Sequence, residues 1–185
     1  AELCGAGVSY CATCDGAFFR DLDVCVIGGG DTALEDAMYL SGVAKSVTVI
    51  HRRQELRAQS VLQQRARQTA NIRWKLGYVP TRLEGKFELT GVALKKADGT
   101  GEEEVLPMDG CFVAVGRVPD TALVAGKIEM NEWGYIPVGE STVSSIPGVF
   151  VAGDLRVKGL RQVVTAAADG AVAATAAWEY IVKNG

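Results

Sequence analysis

Two cysteines separated by two residues, Cys11-Ala12-Thr13-Cys14, are the residues of this chain best suited to chemistry, and Asp15 follows them directly. Thiols at this spacing close into a disulfide and so store two electrons, the number a nicotinamide delivers as hydride. In such a pair the first thiol is usually the exposed one, and a following helix lowers its pKa. A helix carrying Phe18 and Phe19 would put Cys11 near its N-terminus, as the sulfur that attacks a partner disulfide. Cys14 would then be the inner sulfur, facing the electron carrier. Asp15 is placed to protonate a leaving thiolate, to cap the helix, or both. Zinc is the rival use of CxxC, but a structural zinc site needs four ligands. The only histidine is His51, and Cys4, Cys25 and Cys111 stand singly, so no metal site is read.

A second constellation follows within about one supersecondary unit. The run Val24-Cys25-Val26-Ile27 leads into Gly28-Gly29-Gly30-Asp31-Thr32-Ala33, a GxGxxA pattern between a strand and a helix. Gly28 allows the tight turn, Gly30 lets backbone approach a pyrophosphate, and Ala33 permits close packing of helix on sheet. Amide groups at the helix start then face the phosphates. About twenty residues further on, an NAD site would carry Asp or Glu for the ribose 2′-hydroxyl. Here the chain reads His51-Arg52-Arg53, with Arg57 one helical turn beyond Arg53 in a polar helix expected over 54–69. Guanidinium groups clamp a 2′-phosphate that a carboxylate would repel, so NADP(H) is preferred over NAD. Cations at a helix N-terminus oppose the macrodipole, and an anionic ligand there accounts for them.

The elements that must position these residues are of α/β type. Strands are expected at 23–28 and Ser46 to Ile50, with a helix from Thr32 to Leu40 between them, making a βαβ unit with parallel strands. A strand near 72–78 follows, then an antiparallel meander, Phe87 to Lys95 and Glu103 to Leu106, turning at Ala97-Asp98-Gly99. Phe112 to Val115 is another buried strand, ending at Gly116-Arg117. Beyond Asp120 only short strands at Gly134–Val138 and Val149–Ala152 and a long Ala-rich helix over 161–182 are evident. That is too little for an independent doubly wound sheet, so 122–185 is expected to be part of a second domain and 3–121 a complete first one.

With 48% apolar residues in 185, the chain can bury a substantial core. A net charge of −3 gives no global attraction to nucleic acid or to an anionic membrane. No apolar run approaches a membrane span, and Ala1-Glu2-Leu3-Cys4 lacks the basic start of a secretory signal. Five cysteines exclude a fully paired secreted framework. Cys25 and Cys111 lie in apolar strands and read as small core residues, and Cys4 sits incidentally in a Gly-rich leader. The expected setting is cytoplasmic, where a CxxC is more often redox-active or metal-bound than structural.

CATCDG, GGGDTALED, HRRQELRA, VAVGRVPDT, VFVAGD and RQVVTAAADGAVAA occur here in the order found in low-molecular-weight, bacterial-type NADPH-dependent thioredoxin reductases, which the chain resembles over essentially its whole length. The resemblance implies a Rossmann-like NADPH-binding domain followed by the C-terminal part of an FAD-binding domain. It implies a flavin that passes electrons from NADPH to the Cys11/Cys14 disulfide and on to thioredoxin by thiol–disulfide exchange, usually in a homodimer. On this resemblance Cys11 attacks thioredoxin, Cys14 faces the flavin and Asp15 is the acid. Gly28, Gly30, Asp31, Thr32, Ala33, His51, Arg52, Arg53 and Arg57 match NADPH positions, and Gly116 and Arg117 fall in the VAVGRVPDT cofactor segment. Asp154 matches the contact to the FAD ribityl chain, and Arg161, Gln162 and Val163 the flavin edge. The family carries a further GxGxxG half ahead of this start, and no second such motif occurs here. The expectation is therefore a reductase, or a fragment of one, lacking the N-terminal half of the FAD domain. The alternatives are an NADPH-binding module without flavin or catalysis, and a flavin reductase serving a peroxidase partner.

Overall fold

The computed structural model describes residues 3–185. The chain divides into two compact units, one ending at Gly116 and the other comprising Arg117–Gly185. In chain order the first unit contains β1 (Val8–Ser9), α1 (Ala12–Asp15), β2 (Asp23–Ile27), α2 (Asp31–Ser41), β3 (Ser46–His51) and α3 (Ser60–Gln68). It continues with β4 (Ile72–Leu76), β5 (Tyr78–Glu84), β6 (Gly91–Lys96), β7 (Glu104–Pro107) and β8 (Gly110–Val113). Five strands form a parallel sheet in the order β1-β8-β2-β3-β4, and β5-β6-β7 form an antiparallel one. This is the expected Rossmann-like sheet with its meander.

Both faces of the parallel sheet are covered, which is why β2 and β3 are buried along almost their whole length. Val24, Val26, Val47, Val49 and Phe112 face one cluster, where α2 lays down Ala33, Leu34, Ala37 and Leu40 as a helical stripe. Cys25, Ile50 and Cys111 point to the opposite face and meet Leu89, Val92, Leu94 and Met108 from the meander side. Cys25 and Cys111 are fully buried neighbours in register, so both are core residues, and the hydrogen bond with Cys111, followed by burial, pushes the Cys25 thiol well up. At about 1.5–3 kcal/mol per buried aliphatic side chain, this two-sided packing outweighs local propensity.

Several element boundaries differ from expectation. The helix expected over 54–69 is only α3, because the segment before it is bonded to the glycine turn described below. The strand near 72–78 breaks at Gly77, whose φ of 77° turns the chain out of β4 and into β5, a strand the sequence pattern did not announce. β1 was equally silent: two residues long, it is held by its pairing to β8.

In the second unit, a cluster of Ile128, Ile136, Val138 and Val151 is packed by Val124, Met130, Ile146 and Leu155. The two short strands expected there are single bridges, Ile136 to Arg156 and Val143 to Phe150. Left-handed turns at Gly134, Thr142 and Gly148 (φ 82°, 61° and 78°) reverse the chain before a ladder can extend. The long helix is present as α4 (Val163–Asn184).

Candidate functional site

The first unit's parallel strands all end at one edge of their sheet, and the loops that leave that edge carry the candidate chemistry. The position is the one at which open α/β sheets bind ligands. Cys11 and Cys14 follow β1 and form a disulfide, their Cα atoms 5.3 Å apart. Cys11 is the N-cap of α1. Its amide donates to Ser9 Oγ at 3.0 Å, and the same hydroxyl donates to Asp15 Oδ2 at 2.7 Å. Ser9, 4% exposed, thus links the dithiol backbone to the candidate acid. The carboxylate of Asp15 meets this hydroxyl and makes no capping bond at the helix that follows.

Exposure of the two sulfurs is the reverse of the inner and outer order expected from the motif. Cys11 is half-buried beside β1, whereas Cys14 lies on the exposed side of α1. The expected following helix is a 3-10 turn, Gly16–Phe19, rather than a continuation of α1. Phe19 packs edge-on against Phe112 with ring centroids 5.1 Å apart, while Phe18 is exposed. Gly16 lets the turn sit against α2: a Cβ there would lie 2.9 Å from Tyr39 Cε1 and 3.0 Å from Leu40 Cδ2.

A cavity of about 280 Å³ opens between the glycine turn, the end of β3 and β5. At Gly28, φ is 154°, and a Cβ would lie 2.3 Å from Ala114 O and 2.8 Å from Ala33 Cβ. The turn at Gly28 thus has no room for a side chain, and Ala33 lies close against it. A Cβ at Gly30 would meet nothing within 4 Å, leaving backbone open to a ligand. Gly29, not singled out by the motif, has the His51 ring against it, where a Cβ would fall 2.5 Å from Nδ1.

The segment carrying the arginines is a strap across this turn and not the start of a helix. Arg57 N and Ala58 N both donate to Gly29 O, at 2.7 and 3.1 Å. Gln59 N donates to Asp31 Oδ1 at 2.7 Å, and Gln59 Nε2 to Asp31 Oδ2 at 2.9 Å. These donors hold the Asp31 carboxyl below the usual carboxylate range. Arg52 and Arg57 line the cavity together with His51, and among the described residues no carboxylate lines it. Arg53 is exposed and does not line it, and Thr32 is exposed at the start of α2. Burial, with Arg57, Arg52 and Arg53 adding positive potential, pushes His51 below its ordinary value. The imidazole is 7% exposed and its Nε2 has no hydrogen-bond partner. Neither Cys11 nor Cys14 lines this cavity.

In the second unit, Arg117, Asp154 and Arg161 come together with Tyr135 around a recess of about 330 Å³. The Arg161 guanidinium stacks 4.2 Å above the Tyr135 ring, and its buried Nε has no partner. Gln162 is the N-cap of α4, its amide donating to Thr165 Oγ1 at 3.1 Å, and Val163 opens the helix, exposed. Gly116, at φ 111°, closes the first unit. Asp154 lies on a 3-10 turn, Gly153–Leu155, that is anchored by Asp169. Asp169 Oδ2 accepts from Gly153 N at 3.0 Å, Arg156 Nε at 2.7 Å and Lys158 Nζ at 2.6 Å. Its Oδ1 accepts from Arg156 Nη2 at 2.8 Å. Ser9, Gln59 and Asp169 are the supporting residues that motif reading missed. Only Asp169 has a signal, as a carboxylate set among the alanines of the first half of α4.

Among the described residues no helix is long and apolar enough to cross a membrane. The profile of the pyridine nucleotide-disulphide oxidoreductase family matches residues 1–170. The chain is 48% identical over 186 residues to a thioredoxin reductase of Peptoclostridium litorale, covering 97% of this chain and 59% of that protein. It is 46% identical over 183 residues to a thioredoxin reductase of Mycolicibacterium smegmatis, covering 98% and 58%. Among solved structures, thioredoxin reductase from Streptococcus pyogenes MGAS5005 superposes with a TM-score of 0.90 at 41% identity, over 96% of this chain and 58% of that one. The thioredoxin reductase from Giardia duodenalis gives 0.84 at 33% identity, over 96% and 58%. The chain thus spans a little under three fifths of the length of these relatives.

Proposed function

This chain belongs to the pyridine nucleotide-disulphide oxidoreductase family, and from that premise we propose that it carries the NADPH-binding and dithiol portion of an FAD-dependent thioredoxin reductase. One observation carries the reading. A solvent-accessible disulfide shares its unit with a glycine-turn cavity lined, among the described residues, by two guanidinium groups and no carboxylate.

NADPH supplies a hydride, and FAD is the carrier able to pass its electron pair on singly or together. The residues present fit both groups. Gly28 and Gly30 leave the backbone approachable, the first amides of α2 have no partner within the helix, and Arg52 and Arg57 offer charged donors to a 2′-phosphate. Arg53 adds longer-range positive potential, and His51 gives the cavity a buried wall with an unpartnered nitrogen. On the second unit Asp154, Arg117 and Arg161 would hold flavin, Arg161 bringing an unpartnered buried donor, with Gln162 and Val163 at the helix start. Gly116 and the paired 3–121 and 122–185 segments belong to this reading as the joint between the two binding domains.

The dithiol chemistry balances within the named residues. Opening the Cys11–Cys14 disulfide takes up two electrons and two protons. Cys14, the more exposed sulfur, receives the electrons, and Cys11, at the N-cap of α1, attacks the disulfide of thioredoxin. Cys14 then resolves the mixed disulfide, releasing reduced thioredoxin, while Asp15, aligned by Ser9, hands a proton to the departing thiolate. A homodimer and a cytoplasmic setting complete the proposal.

The test is a trapping experiment. The reduced Cys14→Ser chain, mixed with oxidised thioredoxin, is expected to hold a mixed disulfide through Cys11, identified by peptide mass. Titration with NADPH and NADH should show the phosphorylated nucleotide bound more tightly. Absence of any mixed disulfide with the Cys14→Ser chain, together with equal binding of the two nucleotides, would overturn the assignment.

A further inference from the structure

We infer that Asp31 is a positioning residue for nucleotide discrimination: its carboxylate fastens the arginine strap over the glycine turn instead of touching the coenzyme. The inference rests on the NADPH reading above and names what sets the specificity of that site.

Asp31 is the first residue of α2, at the mouth of the glycine turn. An unengaged carboxylate there would repel the pyrophosphate that such a helix start attracts. Both of its oxygens are instead engaged by a single residue, Oδ1 by Gln59 N and Oδ2 by Gln59 Nε2. Gln59 lies two positions beyond Arg57, whose own amide is bonded to Gly29 O. The other end of the strap is held separately, since Gly77 N donates to His51 O at 2.8 Å and to Arg53 O at 3.3 Å. Arg52 and Arg57 therefore project from a loop pinned at both ends, and at the Arg57 end Asp31 supplies a side-chain fastening that reaches from the glycine motif itself. Releasing it leaves the Gly29 bonds in place but frees Gln59, so Arg57 loses the fixed base from which it reaches into the cavity. The expected signature is selective: a contact that matters only when a 2′-phosphate is present.

The experiment measures dissociation constants of the full chain for NADPH, NADH and adenosine 2′,5′-bisphosphate in Asp31→Ala, Asp31→Asn and Gln59→Ala, with far-UV circular dichroism to confirm folding. Loss of two hydrogen bonds to a charged acceptor predicts a fall of about tenfold in the NADPH-to-NADH preference for Asp31→Ala, with the same loss for adenosine 2′,5′-bisphosphate. Asp31→Asn, whose amide oxygen still accepts from Gln59 N, should recover part of it, and Gln59→Ala should match Asp31→Ala. Should the preference persist in Asp31→Ala and Gln59→Ala while the wild type discriminates, the positioning role is wrong and the NADPH reading stands. Equal weakening of both nucleotides also overturns it, by making Asp31 a ligand of their shared part. A wild-type chain that binds the two nucleotides alike removes the nucleotide reading and this inference together.

Discussion

Asp169→Asn removes one charge from a buried cluster, and its consequence can be worked out from the contacts. In the native protein the carboxylate accepts four hydrogen bonds, from Gly153 N, Lys158 Nζ and both Nε and Nη2 of Arg156. Arg156 and Asp169 are 5% and 6% exposed. With Asn in place, Arg156 and Lys158 face each other, and among the described residues the carboxylate left on Arg156 is Glu140, 3.3 Å away and 94% exposed. Breaking one side of a buried ion pair costs about 3–5 kcal/mol. Glu140 and the nearness of the surface favour the lower end, about 3 kcal/mol. A unit of this size has only about 3–10 kcal/mol of stability in total. The variant should therefore unfold its second unit at markedly lower urea concentration. The assay is far-UV circular dichroism, to which α4 contributes strongly, alongside fluorescence of Trp133 and Trp178. Acid supplies an independent arm. Hydrogen bonds from Arg156 first, and then Lys158, hold the Asp169 carboxyl well below the usual carboxylate range. Its stabilisation is complete above the unfolded value of about 3.9 and is lost as pH falls through the lower folded value. The gap between wild type and Asp169→Asn should consequently narrow towards pH ~2. A variant within about 1 kcal/mol of wild type at pH 7, or a gap that does not change with acid, would refute the reasoning.

Three further outcomes are expected. Arg52→Ala and Arg57→Ala should each weaken NADPH about tenfold or more through loss of charge-assisted hydrogen bonds, with NADH nearly unchanged, whereas Arg53→Ala, outside the cavity lining, should act less; isothermal titration of the three reads this order directly. Ser9→Ala should slow thiol–disulfide exchange of the Cys11/Cys14 pair about three- to tenfold, and Asp15→Asn should add little in the double variant, as followed by thiol labelling after dithiothreitol addition. Gly28→Ala forces a Cβ to 2.3 Å from Ala114 O in a left-handed backbone, so a loss of about 2 kcal/mol or more in urea unfolding is expected, with nucleotide binding abolished.

The parts of this fold that sequence announced are those whose physics is local. β2 carries an apolar run from Val24 to Ile27 because both sheet faces are buried there, and α2 shows its stripe from Ala33 to Leu40. Gly28 could be assigned to a tight turn because no side chain fits there, and Ala33 to a close contact because it is buried against that turn. What stayed hidden depends on distant partners. β1 exists through its register with β8, and β5 follows from the turn at Gly77. The arginine segment has helix-forming composition, yet two amides captured by Gly29 O and two donors captured by Asp31 unwind it until Ser60. The relative exposure of Cys11 and Cys14 was equally out of reach, since it is set by β1 lying beside one sulfur and not the other. Ser9 and Gln59 carry no motif at all, and their importance is visible only as the atoms they join.

The bonds from Arg57 and Ala58 to Gly29 are made by main-chain amides, which every residue except proline possesses. On the proposed reading, coenzyme preference would thus be written on interchangeable heads attached to a fixed handle. Positions 52, 53 and 57 could be rewritten in a laboratory or by drift without unfastening the segment that presents them, and a switch towards unphosphorylated nucleotide would then require new side chains there, the backbone course staying as it is.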